Sequence, residues 1–322
     1  MIGKRQLLAS AAGLLLAAAA IGGAAAQTFP SGPVKIIVPR SPGGGSDNIT
    51  RMVAPALEKK LGVPVVIENR PDATAVLGAD LVAKSKPDGY TLYLSDNSFY
   101  QNPAILDSLP YDTVKDFTAI TMLAQGPVIL IVHPSIAAKT LSELLELAKK
   151  SKLTYASGGI GSSTHLVGVM LNLKAGTSIT HVPFKSSGPA LNALLGGHVS
   201  MQFGGISSAR PHVEQNKVRA IALTGDRRDP SMPDVPTFQE SGLKGADVTS
   251  VWGLHAPAGT PLAARKVLRD AVVAVMRDPE MTKKLADRGY DIIGNTPEEH
   301  QKQTDALVTQ WIEVGKKVNL KE

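Results

Sequence analysis

Val34-Lys35-Ile36-Ile37-Val38-Pro39-Arg40-Ser41-Pro42-Gly43-Gly44-Gly45-Ser46-Asp47 runs from a short apolar strand through three glycines into the start of a helix. Glycine removes the Cβ atoms that hold a ligand away from the backbone, and the first N–H groups of a helix lack intrahelical partners, so such a turn reads as an anion cradle. The chain repeats the pattern at Leu153-Thr154-Tyr155-Ala156-Ser157-Gly158-Gly159-Ile160-Gly161-Ser162-Ser163-Thr164-His165. Two cradles suggest two jaws.

Working outward from the first cradle, Ile49, Met52, Val53, Ala56, Leu57 and Leu61 share one helical face, Gly62 ends that helix, and residues 63–67 form the next strand. A helix over 75–84, the turn Pro87-Asp88-Gly89 and a strand over 90–94 complete a β-α-β-α-β unit. Around the second cradle, strands at 154–156, 179–183 and 199–203 alternate with helices at 165–173 and 189–195. Parallel crossovers put helices on both faces of each sheet and line up the loops after the strands' carboxyl ends. Those rim loops are 40–47, 69–74 and 95–102 in the first unit, and 157–164, 184–188 and 204–208 in the second. Residues 119–132 are expected to cross between the units as one strand, and 251–257 to return the chain. The expected fold class is α/β with two lobes, each a β-sheet flanked by helices, and a ligand cleft between them. Lobe 1 takes residues 27–126 and 250–322, and lobe 2 takes 127–249. Three helices close the chain, opened by Thr260-Pro261, Asp278-Pro279-Glu280 and Thr296-Pro297-Glu298-Glu299, the last with capping-box spacing. In it Leu307, Trp311, Val314 and Val318 form a stripe expected to dock on the first lobe.

The first 26 residues read as a cleaved secretory signal: Lys4 and Arg5, an apolar run from Leu7 to about Ile21, then Ala24-Ala25-Ala26. A retained anchor is the alternative, and the run is short for it. The chain contains no cysteine, so neither a disulfide nor a lipoprotein attachment is available, and the cores must suffice alone. Formal net charge is +6, with two of those charges in the leader. Aromatics make up 4% and are not interleaved with basic residues, which gives nucleic-acid binding little support.

Enzyme motifs are weak. Gly43-x-Gly45-x-x-Asn48 lacks the third glycine of a dinucleotide fingerprint. No Gly-x-Ser-x-Gly elbow, Walker loop or His-Glu-x-x-His occurs, and the seven histidines are scattered. Neither a hydrolase nor a zinc site rises above background, so no catalytic residue and no metal ligand is singled out.

The mature chain resembles the Bug-type (TctC-like) periplasmic solute receptors, the extracytoplasmic binding subunits of the tripartite tricarboxylate transporter family. The resemblance rests on Pro39 through Gly43-Gly44 to Asp47, Gly62-x-Pro64-Val65-Val66-x-Glu68-Asn69-Arg70-Pro71, and Pro87-Asp88-Gly89-Tyr90-Thr91-Leu92. It continues through Leu109-Pro110-Tyr111-Asp112, Tyr155-Ala156-Ser157-Gly158, His181-Val182-Pro183, Pro233-Asp234-Val235-Pro236-Thr237 and Ala256-Pro257-x-Gly259-Thr260-Pro261. It implies a type II-like two-lobed binding protein, a monomer in the periplasm. It also implies closure on a small organic anion, a mono-, di- or aromatic carboxylate or an amino acid, with no cofactor and no chemistry, for delivery to membrane subunits of the transporter. A ligand sensor for a membrane signalling protein is compatible with the same fold, and a periplasmic enzyme acting on a carboxylate is the remaining alternative.

The ligand-binding positions implied are Ser41, Gly43, Gly44, Gly45, Ser46 and Asp47 in the first cradle, Asn97 on the third rim loop, and Ser157, Gly158, Gly161, Ser162, Ser163, Thr164 and His165 in the second. Four departures from the family pattern fall where ligand identity is set. Arg40 replaces an aromatic, Asp72-Ala73-Thr74-Ala75 a glycine-rich turn, Phe184-Lys185-Ser186 a Tyr-Arg-Gly, and Gly204-Gly205 a common acid. Arg40 and Lys185, without an acid at 204, argue for a carboxylate lacking an amine. Each residue also has a plainer reading: Asp47 as a helix cap or partner of Arg51, Arg40 and Lys185 as solvated rim charges, His165 as a loop anchor, and Trp252 as packing between lobes.

Overall fold

The computed structural model describes residues 29–246 and 248–317. The expected export leader and Val318 lie outside the described residues. The chain forms β1 (Val34–Val38), α1 (Gly45–Leu61), β2 (Val65–Asn69), α2 (Val76–Ala83), β3 (Thr91–Ser95), α3 (Asn97–Ile105) and β4 (Phe117–Gly126). It continues with β5 (Val128–Val132), α4 (Leu141–Lys150), β6 (Thr154–Ser157), α5 (Ser163–Ala175), β7 (Thr180–Pro183), α6 (Ser187–Leu195), β8 (Met201–Gly205), α7 (Ile206–Glu214) and β9 (Arg219–Leu223). Last come β10 (Ser250–Pro257), α8 (Leu262–Met276), α9 (Pro279–Ala286), β11 (Asp291–Ile292) and α10 (Pro297–Lys317).

Two sheets result. One has strand order β11-β4-β10-β3-β1-β2 and the other β7-β6-β8-β5-β9. Strands β1, β2 and β3 are parallel, as are β6, β7 and β8, so in each sheet the loops after these strands share one edge. Period-two alternation loads both faces of each sheet. In β1, Val34, Ile36 and Val38 enter one apolar cluster while Ile37 enters another. In β5, Val128, Leu130 and Val132 face one cluster and Ile129 and Ile131 the other. Buried on both faces, β5 reads as a continuous apolar run, while in β1 the exposed Lys35 interrupts one.

Three expectations need correction. The single crossing strand over 119–132 is two strands: β4 pairs antiparallel with β10 in the first sheet, and β5 pairs with β8 and β9 in the second. Pro127 separates them, and with no N–H to donate it ends one ladder where the next begins. The rim loop over 95–102 is largely α3, capped by the Asp96 carboxylate accepting from Ser98 N–H. Its polar residues Asn97, Ser98, Gln101 and Asn102 are buried and Pro103 lies inside it, a composition that reads as loop. The loop over 204–208 does not exist as such: Gly204 and Gly205 end β8 and α7 starts at Ile206.

The terminal helices follow their capping signals. Thr296 Oγ1 accepts from Glu299 N–H at 3.1 Å and Glu299 Oε2 from Thr296 N–H at 2.8 Å, a reciprocal capping box. Along α10, Leu307 and Trp311 pack against the cluster around Tyr93 and Phe99. Trp311 and Val314 also reach the cluster that runs through Ile105 toward β5, so the helix covers the junction and not the first lobe alone.

Candidate functional site

The edges carrying the loops after the parallel strands face each other, and the two lobes are shut. Arg40 Nη1 donates to Gly158 O at 2.7 Å, Ser163 Oγ meets Ser250 Oγ at 2.7 Å, and Ser98 Oγ donates to Ile160 O at 3.3 Å. The Tyr290 hydroxyl donates to Gly45 O at 3.0 Å and lies 3.1 Å from Ser207 Oγ. Burial raises that phenol to about 12, so it remains a donor at any ordinary pH.

Between the lobes lies a polar cavity with ≈ 50 Å³ for the centres of water-sized groups. That is room for about three to five waters, or a short organic acid. Five helix starts reach it: Gly44, Gly45 and Ser46 of α1, Asp96 and Asn97 of α3, Ser162, Ser163 and Thr164 of α5, Ser186 and Ser187 of α6, and Gly205 before α7. Two are capped by their own side chains, Asp96 on Ser98 N–H and Ser162 on His165 N–H. The other three, with Gly44, Ser186 and Gly205 at the cap positions, have no side-chain cap. Their N–H groups and positive dipole ends therefore remain for a bound anion. Ser186 Oγ is buried against this cavity with no hydrogen-bond partner among the described residues. Gly44 is needed for close approach, because a Cβ there would stand 3.1 Å from Ser186 Cβ across the seam.

Of the positions read from the sequence, the cavity wall brings together Arg40, Gly44, Gly45, Ser46, Asn97, Gly158, Ser162, Ser163 and Thr164. The others stand behind or beside it. Gly43 is exposed and Asp47 turns back from the cleft, its carboxylate accepting from Gly43 N–H, Arg51 Nε and Asn69 Nδ2. Burial alone would raise the Asp47 pKa, but these bonds outweigh it and hold it below the usual range. Ser41 N–H donates to Lys185 O at the seam, 3.4 Å away. Ser157 Oγ lies 2.6 Å from His181 Nε2. His165 Nδ1 accepts from Gly161 N–H at 3.2 Å and its ring stacks on His181, so both His165 and Gly161 build the loop and do not face the cavity. Phe184 packs on the second lobe's apolar cluster, Lys185 is exposed, and Gly204 sits inside β8.

Arg40 is no solvated rim charge, since it is 3% exposed. Nε donates to Asp96 Oδ2 at 2.6 Å and Nη2 to Oδ1 at 3.3 Å, with Nη2 also on Ser98 Oγ. Burial pulls the guanidinium's pKa down, and the Asp96 charge and hydrogen bond more than restore it. The site's cation is thus already matched, and with Lys185 outside, the charge argument against an amine does not hold. Trp252 lines the cavity, with Nε1 donating to Ser46 Oγ at 3.2 Å and its ring edge-on to Tyr290. Sequence reading put Asp96, Ser186, Ser187 and Gly205 on rim loops without naming them as binding residues, and missed Ser250 and Trp252 as lining residues. The N-cap pattern at Asp96 and Ser186 was the available signal for two of them.

Two α/β lobes shut over a polar cavity at converging helix N-termini define a periplasmic-binding-protein fold. The chain belongs to the family described as "Tripartite tricarboxylate transporter family receptor", whose model matches residues 49–320. Among its relatives, Protein BugT of Bordetella pertussis is 30% identical over 300 residues, 92% of each chain. MatC from Rhodopseudomonas palustris, solved with bound malate, has a TM-score of 0.85 at 32% identity, covering 89% of this chain and 100% of that one. Rpa4515 of the same species, solved with adipate, has a TM-score of 0.86 at 30% identity, covering 89% and 97%.

Proposed function

We propose that this protein is an extracytoplasmic receptor that captures a small carboxylate by closing its lobes, and passes it to the membrane subunits of a tripartite tricarboxylate-type transporter. The observation that carries the reading is the convergence of three helix N-termini without side-chain caps on one closed cavity. In a water-poor cleft, oriented N–H dipoles hold an anion without a dedicated cation. Malate in MatC and adipate in Rpa4515 support the ligand class. The lobes hinge where β4 passes into β5 at Pro127 and where the chain re-enters the first sheet before β10, so that residues 27–126 and 250–322 move against 127–249. Export by the N-terminal leader puts the receptor in the periplasm as a monomer, and it does no chemistry on its ligand.

The test uses the mature chain, residues 27–322, after unfolding and refolding to strip any resident ligand. Thermal denaturation and tryptophan fluorescence, to which Trp252 at the cavity and Trp311 both contribute, are followed against succinate, malate, adipate, benzoate and amino acids. A ligand at a thousandfold excess over Kd adds about 4 kcal/mol of stability. Stabilisation by short carboxylates with unchanged ligand recovered afterwards is expected. No shift with any acid, or conversion of the bound acid, overturns the reading.

A further inference from the structure

Among the groups lining the cavity, the Asp96 carboxylate is the one that only accepts hydrogen bonds while carrying a charge. Its side chain is 11% exposed, and it follows β3 directly as the N-cap of α3. Oδ2 accepts from Arg40 Nε at 2.6 Å, and Oδ1 accepts from Arg40 Nη2 at 3.3 Å and from Ser98 N–H at 3.0 Å. A carboxylate offers about four lone-pair positions, so about one is left over. The Arg40 guanidinium, itself fixed on Gly158 O, cancels the charge at close range. What remains at this wall is an acceptor with little net field. An ammonium gains little from a neutralised carboxylate and is costly to desolvate, and a methylene leaves the acceptor unfilled. A neutral O–H fits it.

Elsewhere on the wall, Gly44 and Ser186 stand at the starts of α1 and α6, both without a side-chain cap, and the cavity is small enough to favour a short chain. We propose that Asp96 is a specificity-determining residue, and that the ligand is a short hydroxy acid whose carboxylate sits at the Gly44–Ser186 helix starts while its hydroxyl donates to Asp96. This rests on the receptor reading above and deepens it. Arg40 is the positioning residue: it holds the Asp96 carboxylate in place and removes its preference for cations.

Titration calorimetry on the stripped mature chain with two matched pairs, malate against succinate and lactate against propionate, separates the hydroxyl from the rest of the ligand. Alanine supplies the amine in the lactate position. A hydrogen bond from a hydroxyl to this ion-paired acceptor predicts about 3- to 10-fold tighter binding of the hydroxy member of whichever pair fits the cavity. Alanine is expected to bind no better than propionate. In Asp96→Asn the hydroxy-to-deoxy ratio is expected to fall toward one, since a single amide oxygen is then the acceptor for Arg40, Ser98 N–H and the ligand. Asp96 acting only through structure would weaken both members alike and keep the ratio, which overturns its specificity role. Equal binding of hydroxy and deoxy acids by the unmodified protein, or a preference for alanine, overturns the inference and leaves the receptor reading standing. If no acid in either pair binds, the inference fails, and the wider panel with adipate and benzoate decides the receptor reading separately. Should Asp96→Asn not fold, the paired ligands on the unmodified protein decide alone.

Discussion

Replacing Gly44 separates closure from folding. The residue caps α1 at φ −84° and ψ 171°, a conformation open to any L-residue, so a side chain is not strained by the backbone. The nearest atoms to a Cβ at this position all belong to the second lobe: Ser186 Cβ at 3.1 Å, Ser186 Oγ at 3.5 Å and Ser187 N at 3.6 Å. Carbon atoms rest at about 3.5 to 4.0 Å, so Gly44→Ala forces the lobes apart by about 0.4 to 0.9 Å at this point. The bonds that close the seam, Arg40 to Gly158 and Ser163 to Ser250, are both 2.7 Å long and lengthen together. Losing the worth of one or two such bonds, about 1 kcal/mol each, weakens ligand binding about 5- to 30-fold. Gly44→Val, with two more methyl groups, is expected to exceed 100-fold. In the ligand-free, open protein the entropy gained by replacing glycine, about 0.4–1 kcal/mol, roughly cancels the poorer N-cap that alanine makes. Calorimetry with the best-binding acid and urea denaturation of the ligand-free variants read the two effects apart. Unchanged affinity in Gly44→Val, or loss of ligand-free stability in step with loss of binding, would refute the reasoning.

Two further outcomes follow from groups buried in the first lobe and at its edge. His255 and His300 lie with ring centroids 4.5 Å apart. Burial lowers the His255 pKa to about 3, and burial with the neighbouring His255 lowers His300 well below its usual value. Both are neutral when folded, so as pH falls from about 6.5 toward 3 the unfolded chain takes up protons that the folded one excludes. Stability then drops by up to about 1.4 kcal/mol per pH unit for each histidine. Urea midpoints between pH 7 and 4.5 should show that slope, and His255→Gln with His300→Gln should flatten it; a flat profile in the parent protein would sink the assignment. Arg40→Met leaves the Asp96 carboxylate without its partner at a site where the two side chains are 4% and 11% exposed, a loss of about 3–5 kcal/mol. Adding Asp96→Asn should restore part of it, and a double-mutant cycle with no coupling would show that the pair is not mutually compensating.

Much of this protein was legible in the chain because its signals are local. Apolar runs broken by Gly62, Gly89 and Gly176 mark a repeated β-α-β order, and the glycine turns at 43–45 and 158–161 mark two of the helix starts at the cavity. A helix N-terminus offers its N–H groups through consecutive residues, so a dozen letters suffice to find one. The caps of α9 and α10 were visible for the same reason. What no local pattern contains is which groups face each other after the lobes close. Arg40 and Asp96 are separated by 56 residues, and Arg40 and Gly158 by 118, yet together they turn an expected free cation into a neutral pair. Lys185 and Ser186 are neighbours in sequence, but the turn into α6 exposes one and buries the other against the cavity. Alternation along the chain says only that adjacent side chains diverge, while the docking of the second lobe on the first decides which one the ligand meets. Asp96, Ser186 and Trp252 thus owe their place at the site to contacts between distant strands, because the free energy that fixes them is gained only when both lobes are present.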